Sequence, residues 1–195
     1  MKMDVKNRNT IAKAAEALEF GGVVMHPTET CYGLAVNIFN EGAIKKLYKI
    51  KGRNFKKPVS ILVDGLGMAQ EYGVFSDKAT ELATKFWPGP LSIVVPRKKT
   101  LPDFLNPGEE LISFRYSADA FCESLVEAFG KPITTTSANF AGDDPLYSAE
   151  EFSDELDLIV DGGVLSFESP STVVRVDGDR VQILRQGGVL IEDAS

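Results

Sequence analysis

The chain has little with which to build a metal or thiol site: one histidine and two cysteines in 195 residues. Cys31 and Cys122 are too few and too isolated for a disulfide framework, and no Cys or His pair stands at the short spacing that zinc needs. The sequence therefore predicts no metal site of its own. Long apolar runs are lacking too. "GGVVM" and "SILV" fall far short of the ~20 residues of a membrane helix, and the opening "MKMDVKNRN" has no apolar stretch like that of a signal peptide. These absences lead to the expectation of a soluble, cytoplasmic protein with no membrane contact. No Gly-rich loop ends in Gly-Lys-Ser/Thr, and no G-x-G-x-x-G follows a strand. Any bound nucleotide would have to be held largely by side chains.

What is present suffices for one core. With 44% hydrophobic and 9% aromatic residues, the length predicts a single globular domain spanning 1–195. The net charge of −7 disfavours anionic partners in general, but the charges are unevenly placed. From Lys45 to Lys57 every charged residue is basic: Lys45, Lys46, Lys49, Lys51, Arg53, Lys56 and Lys57. Between Lys131 and Arg175 every charged residue is acidic. A basic block in an acidic chain points to a local anion site rather than a polyanion surface. A solvated helix face accounts for Lys45, Lys46 and Lys49, but not for "KGRNFKK", where the block leaves the helix.

Periodicity gives alternating helices and strands. "TIAKAAEALEF" reads as a helix stopped at Gly21-Gly22, "NEGAIKKLYKI" as one capped by Asn40, and "SDKATELATKFW" as one opened by Ser76. "SADAFCESLVEAF" and "SAEEFSDEL" add two more, the latter with capping-box spacing between Ser148 and Glu151. "GVVMH", "LAVNIF", "PVSILVD", "LSIVVP", "LISFRY", "ITTTSA", "LIVDGG", "STVVRV" and "VQILRQ" read as strands. The last two form a hairpin turned at Asp177-Gly178, so the class is α/β with a mixed sheet.

Four polar clusters sit at element ends, where groups converge on ligands: "PTETCYGL" (27–34), "KGR" (51–53), "TTTSAN" (134–139) and "PSTVV…ILRQGG" (170–188). Each alone has an ordinary structural explanation, as turn threonines, a helix C-terminus or a capped turn. Their order is specific. "PTET.YGL", then K-x-R, then S-x-N, then "STVV…LR.G" resembles the threonylcarbamoyl-AMP synthase (YrdC-like) family over nearly the whole chain. "FWPGPLSIVV" (86–95) and "ITTTSANFAGDDP" (133–145) are similar to further family stretches. Asn54 stands where family members often have Pro, Lys57-Pro58 where many have Asn-Pro, and "SILV" where many carry a His.

The resemblance implies a fold of the α/β (α+β) class: a twisted mixed parallel/antiparallel sheet flanked by helices, YrdC/RibB-like, with a concave cavity. It implies one catalytic domain of a nucleotidyltransferase that makes L-threonylcarbamoyladenylate and pyrophosphate from L-threonine, bicarbonate and ATP. Mg2+ would accompany ATP, and the product would pass to a tRNA threonylcarbamoyl-transferase complex, with weak tRNA contact left open. Lys51 and Arg53 would be catalytic. Thr30, Arg115, Thr135 and Ser171 would bind threonine, while Lys51, Arg53, Lys57, Ser137, Asn139 and Arg185 would bind ATP. In this reading "PTET" forms the lip of the threonine pocket and Tyr32 a wall of it. His26 is structural at a strand end, and Cys31 packs as a small hydrophobe. Two alternatives on the same fold are a non-catalytic RNA-binding or regulatory module and a relative that forms carbamoyladenylate.

Overall fold

The computed structural model describes residues 1–55, 57–140, 142–152 and 156–191. In chain order the elements begin β1 (Lys2–Asp4), α1 (Thr10–Glu19), β2 (Val24–His26), β3 (Gly33–Ala35), α2 (Glu41–Ile50), β4 (Ser60–Leu62), α3 (Leu66–Tyr72) and α4 (Asp77–Phe86). They continue with β5 (Leu91–Pro96), β6 (Leu111–Arg115), α5 (Ala120–Phe129), β7 (Ile133–Ser137), β8 (Leu158–Asp161), β9 (Thr172–Asp177) and β10 (Arg180–Arg185). All ten strands join in one sheet, ordered β1-β8-β2-β3-β7-β4-β6-β5-β9-β10. The sheet is mixed: β1 and β2 run parallel to β8, β4 to β6 and β5 to β9, and the remaining neighbours are antiparallel.

Three helix starts carry side-chain caps, the expected ones at Asn40 and Ser76 and a further one at Asp119. Asn40 accepts from Ala43 N, Ser76 from Ala79 N, and Asp119 from both Phe121 N and Cys122 N, each satisfying donors the helix leaves free. Alternation along the strands then assigns the two faces of the sheet. Ile61, Ile93, Phe114 and Val174 point into a core shared with Ala43, Ile44 and Leu47 of α2, Ala69 of α3 and Ala79 and Leu82 of α4. Val24, Leu62, Ile133 and Val160 point to the other face, under Ala14 and Leu18 of α1 and Leu125 and Val126 of α5. Among the described residues no helix is long and apolar enough to cross a membrane.

Four elements differ from the expected set. Strand β1, absent from the expected strands, pairs with β8, and Met1-Lys2-Met3-Asp4-Val5 does alternate apolar and polar with the period of a strand. Helix α3 forms across "LGMAQEY" despite Gly67, which costs ~1 kcal/mol in a helix, because Ala69 is fully buried. The expected helix "SAEEFSDEL" is a single 3-10 turn, Ala149–Glu151, and Ser148 caps it through Glu150 N rather than three residues on. Ser153, Asp154 and Glu155 of that stretch lie outside the described residues, as does Lys56 of the basic block. The strand at "LAVNIF" is shorter than its apolar content suggests: β3 ends at Ala35, Asn37 makes one isolated bridge to Ile133, and Asn37 Oδ1 turns the chain by accepting from Phe39 N at 2.9 Å.

Candidate active site

On the face covered by α1 and α5, apolar side chains give way to polar ones away from those helices. Ser92, Arg115, Ser60 and Thr135 share that face by strand parity and cross-strand register, and they floor a cavity of about 720 Å³. Loops raise its walls. Thr30 and Cys31 come from the β2–β3 loop, Arg53 from the segment after α2, Ser137 from the end of β7, and Ser171 and Arg185 from the two sides of the terminal hairpin.

The floor is organised around Arg115, buried at 8% exposure. Its Nη2 donates to Thr30 Oγ1 at 3.0 Å and pairs with Glu29 Oε1 at 3.0 Å. Glu29 Oε2 also accepts from Ser117 Oγ. Burial pushes the Glu29 carboxyl up, but the Arg115 charge and the hydrogen bonds from Ser117 and Arg115 outweigh it and hold the group below the usual carboxylate range. Thr30 is set by Thr28, whose hydroxyl donates to Cys31 O and accepts from Thr30 N and Cys31 N. This is the local turn that "PTET" favours, because a hydroxyl bonds its own backbone two residues on. The Arg115 Nε is buried with no hydrogen-bond partner.

The second cationic group is held differently. Arg53 donates from Nη2 to Pro58 O at 2.8 Å and from Nη1 to Thr136 Oγ1 at 3.4 Å, and its Nε is likewise buried and unpartnered. Lys51 does not line the cavity. At 2% exposure it lies behind the wall, and its three N–H donors meet Ser137 O, Asn139 O and Asn139 Oδ1. Burial, reinforced by Arg53, lowers its pKa to about 8. Asn139 lies outside the lining as well. Its Oδ1 accepts from Ser137 Oγ at 2.7 Å and its Nδ2 donates to Asp143 O at 2.6 Å. K-x-R and S-x-N are thus one structure, with Lys51 fixing the turn that presents Ser137.

On the opposite side Arg185 donates to Ser171 O from Nε and Nη2, and from Nη2 also to Ser171 Oγ at 2.9 Å. Ser171 Oγ lies 3.2 Å from Ser92 Oγ. The chain after β10 wraps this corner so closely that a Cβ at Gly187 would stand 2.0 Å from Pro170 O and 2.6 Å from Ser171 C. Only glycine fits there.

Seven of the ten expected site residues therefore face one cavity: Thr30, Arg53, Arg115, Thr135, Ser137, Ser171 and Arg185. Lys51 and Asn139 stand behind it. Lys57 is exposed outside the lining, and its carbonyl accepts from Tyr48 Oη at 2.8 Å. Two expectations for the β2–β3 loop are corrected. Tyr32 is no pocket wall. It is fully buried, and its hydroxyl donates to Gly163 O and accepts from Gly162 N; Tyr147 and Phe167 form the aromatic wall instead. Cys31 does not pack inside the core but is half-buried on the cavity side, its thiol pKa pushed up by burial. His26 ends β2 fully buried, with Nδ1 2.9 Å from Pro27 O, and burial lowers its pKa. The sequence reading passed over Glu29 and Ser92, although Ser92 is the one polar residue in "LSIVVP", a usable signal in a buried strand.

A family model described as "Telomere recombination", covering Sua5, YciO and YrdC, matches residues 16–187. The chain is 35% identical over 195 residues to a threonylcarbamoyl-AMP synthase of Bacillus subtilis (strain 168), an alignment covering 95% of this chain and 56% of that protein. Among solved structures, P. abyssi Sua5 complexed with L-threonine matches with a TM-score of 0.90 and 31% identity, covering 96% of this chain and 58% of that one. The solution structure of MTH1692 from Methanobacterium thermoautotrophicum matches with a TM-score of 0.73 and 36% identity, covering 93% and 90%. The chain thus spans a little over half the length of the first two relatives. With most of its length matched by the family model, the chain belongs to the Sua5/YciO/YrdC family.

Proposed function

We propose that residues 1–195 act as one catalytic domain, an L-threonylcarbamoyladenylate synthase working in the cytoplasm. The observation that carries this reading is that three arginines, Arg53, Arg115 and Arg185, line one cavity together with the hydroxyls of Thr30, Ser92, Thr135 and Ser171. Threonine's amine and bicarbonate give a carbamate and water. A carbamate oxygen then attacks the α-phosphorus of ATP, a P–O bond forms, and pyrophosphate leaves. Two anions must meet, and fixed positive charge permits it. Arg53 stabilises charge on the α-phosphate of the adenylyl group being transferred and on departing pyrophosphate. Arg115, with Thr30, Thr135 and Ser171 around it, is placed to hold threonine. Positioning and electrostatics suffice for such a transfer, so neither Cys31 nor His26 is needed as a nucleophile or base.

Magnesium enters with ATP as part of the substrate, and Asp144 and Glu168 on the cavity wall make that screening useful, since bare phosphates would be repelled by them. The product passes to the enzyme that modifies tRNA. The test is pyrophosphate release by the purified protein with ATP and Mg2+. Release should require L-threonine and bicarbonate together. Turnover supported by carbamoyl phosphate without threonine would replace this reading with a carbamoyladenylate-forming one.

A further inference from the structure

We propose that Phe167, with Tyr147 against it, is the platform on which the base of the nucleotide stacks, a binding role for two residues that the order of motifs does not single out. The inference rests on the synthase reading and deepens it. Of the pieces that the reaction brings into the cavity, the triphosphate, the amino acid and bicarbonate are charged and carry at most a methyl. The base of ATP is the one with a broad, flat, weakly polar face. The floor of the cavity and its walls at Arg53 and Arg185 are built largely of hydroxyls and guanidinium groups. Among the described residues, the aromatic rings of the lining are Tyr147 and Phe167, side by side on one wall.

An exposed apolar side chain is ordinary on a protein surface, but the setting of Phe167 is not. It is 82% exposed although it lines a cavity, and its ring leans on Tyr147 with centroids 5.2 Å apart and planes at 41°. The segment that carries it is tied down on both sides. Before it, Tyr32 Oη donates to Gly163 O and Leu165 N donates to Tyr147 O at 2.8 Å. After it, Gly188 N donates to Pro170 O at 3.0 Å. The ring is thus held out by fixed backbone, where a flat base laid on it removes apolar surface from water and stacks. The same hydrogen bonds join this platform to the phosphate end. Leu146 N donates to Ala138 O at 3.3 Å and Asn139 Nδ2 donates to Asp143 O, so the loop that delivers Tyr147 is folded back on the Ser137 turn. Arg53 bonds Thr136 in the strand leading into that turn. One continuous wall therefore runs from Arg53 and Ser137 to Tyr147 and Phe167, with the order of a nucleotide's phosphates and base.

The test titrates two ligands by calorimetry, each with Mg2+: ATP, and inorganic tripolyphosphate as a probe that has no base. Phe167→Ala should weaken ATP about tenfold or more, the range for loss of one ring under a base, and leave tripolyphosphate and L-threonine unchanged. Phe167→Trp should keep the affinity for ATP. Its added indole fluorescence, measured against the unmutated protein with its single Trp87, should be quenched by ATP and not by tripolyphosphate. Equal weakening of ATP and tripolyphosphate in Phe167→Ala would overturn the proposal, because the ring would then act on the phosphate end. Should Phe167→Ala fail to fold, Phe167→Trp decides alone, and an indole that bound ATP leaves unquenched would overturn it. Failure of the unmutated protein to bind either ligand would sink the synthase reading and this inference together. ATP binding that is indifferent to a folded Phe167→Ala would sink the inference alone.

Discussion

Arg115 and Lys51 are both buried cations beside the same cavity, and they are satisfied in opposite ways. Arg115 has a carboxylate partner, Glu29, and a hydroxyl partner, Thr30. Lys51 has two backbone carbonyls and an amide oxygen, and no acid. The difference follows from their chemistry. A planar guanidinium uses one nitrogen for its ion pair and still aims another at a ligand. A compact ammonium with three donors is better suited to knotting a turn. The comparison teaches that burial of a cation does not announce its role. Arg115 lines the cavity while Lys51 shapes the wall, yet Lys51 leaves its charge uncancelled and adds to the field at Arg53.

The largest expected effect sharpens the Arg115 side. If hydroxyls at Thr30, Thr135 and Ser171 read the threonine hydroxyl, valine leaves them unpaired and should be rejected by ~10⁴ in kcat/KM, the range for sites built to bond a missing group. Serine loses only a methyl, worth ~1 kcal/mol. Competitive turnover assays check this, and equal use of valine and threonine would remove the hydroxyl-reading role. On the phosphate side, Arg53→Ala should lower adenylate formation by ~10²–10³, as loss of one transition-state donor does elsewhere. Lys45→Ala should change nothing, because Lys45 is exposed and paired with Glu41 on the helix surface. Similar losses at both positions, with RNA affinity falling alongside at low salt, would recast the basic block as a polyanion track.

The Lys51 side has a pH signature. Because burial lowers its pKa from 10.5 to about 8, the ammonium loses its proton as pH rises through about 8, and one of its three hydrogen bonds to the turn goes with it. The rate should fall by ~10-fold per pH unit beyond that point if the charged form alone is active. In Lys51→Arg, which stays protonated, this alkaline limb should vanish whatever the residual rate. A limb that persists unchanged in Lys51→Arg would assign it to another group. A smaller effect is expected at the far corner. Gly187→Ala would drive a methyl into Pro170 O and Ser171 C, displacing Ser171, and should raise KM for threonine more than KM for ATP.

Much of this was legible in the residues, and what was not had physical causes. The caps at Asn40 and Ser76 and the terminal hairpin follow from local hydrogen bonding and turn chemistry, which act within a few residues. Helix α3 has little local signal because a tertiary contact at Ala69 holds it, whereas β1 does carry one, the alternation of Met1-Lys2-Met3-Asp4-Val5, in too short a stretch to stand out. In the site, the arginines and hydroxyls stood out through their order along the chain. Which of them face the ligand did not, since Lys51 and Arg53 lie two residues apart and take different sides of one wall. Glu29 lies within "PTETCYGL", but only Arg115, 86 residues away, gives it a charged partner.

The most direct test of the division of labour between Arg53 and Arg115 is a crossed titration of two ligands against two variants. L-threonine and ATP with Mg2+ are each titrated calorimetrically into the unmutated protein, Arg115→Ala and Arg53→Ala. Arg115→Ala should weaken threonine and spare ATP, and Arg53→Ala should weaken ATP and spare threonine, each loss being about tenfold or more. Equal weakening of both ligands by both substitutions would contradict the account.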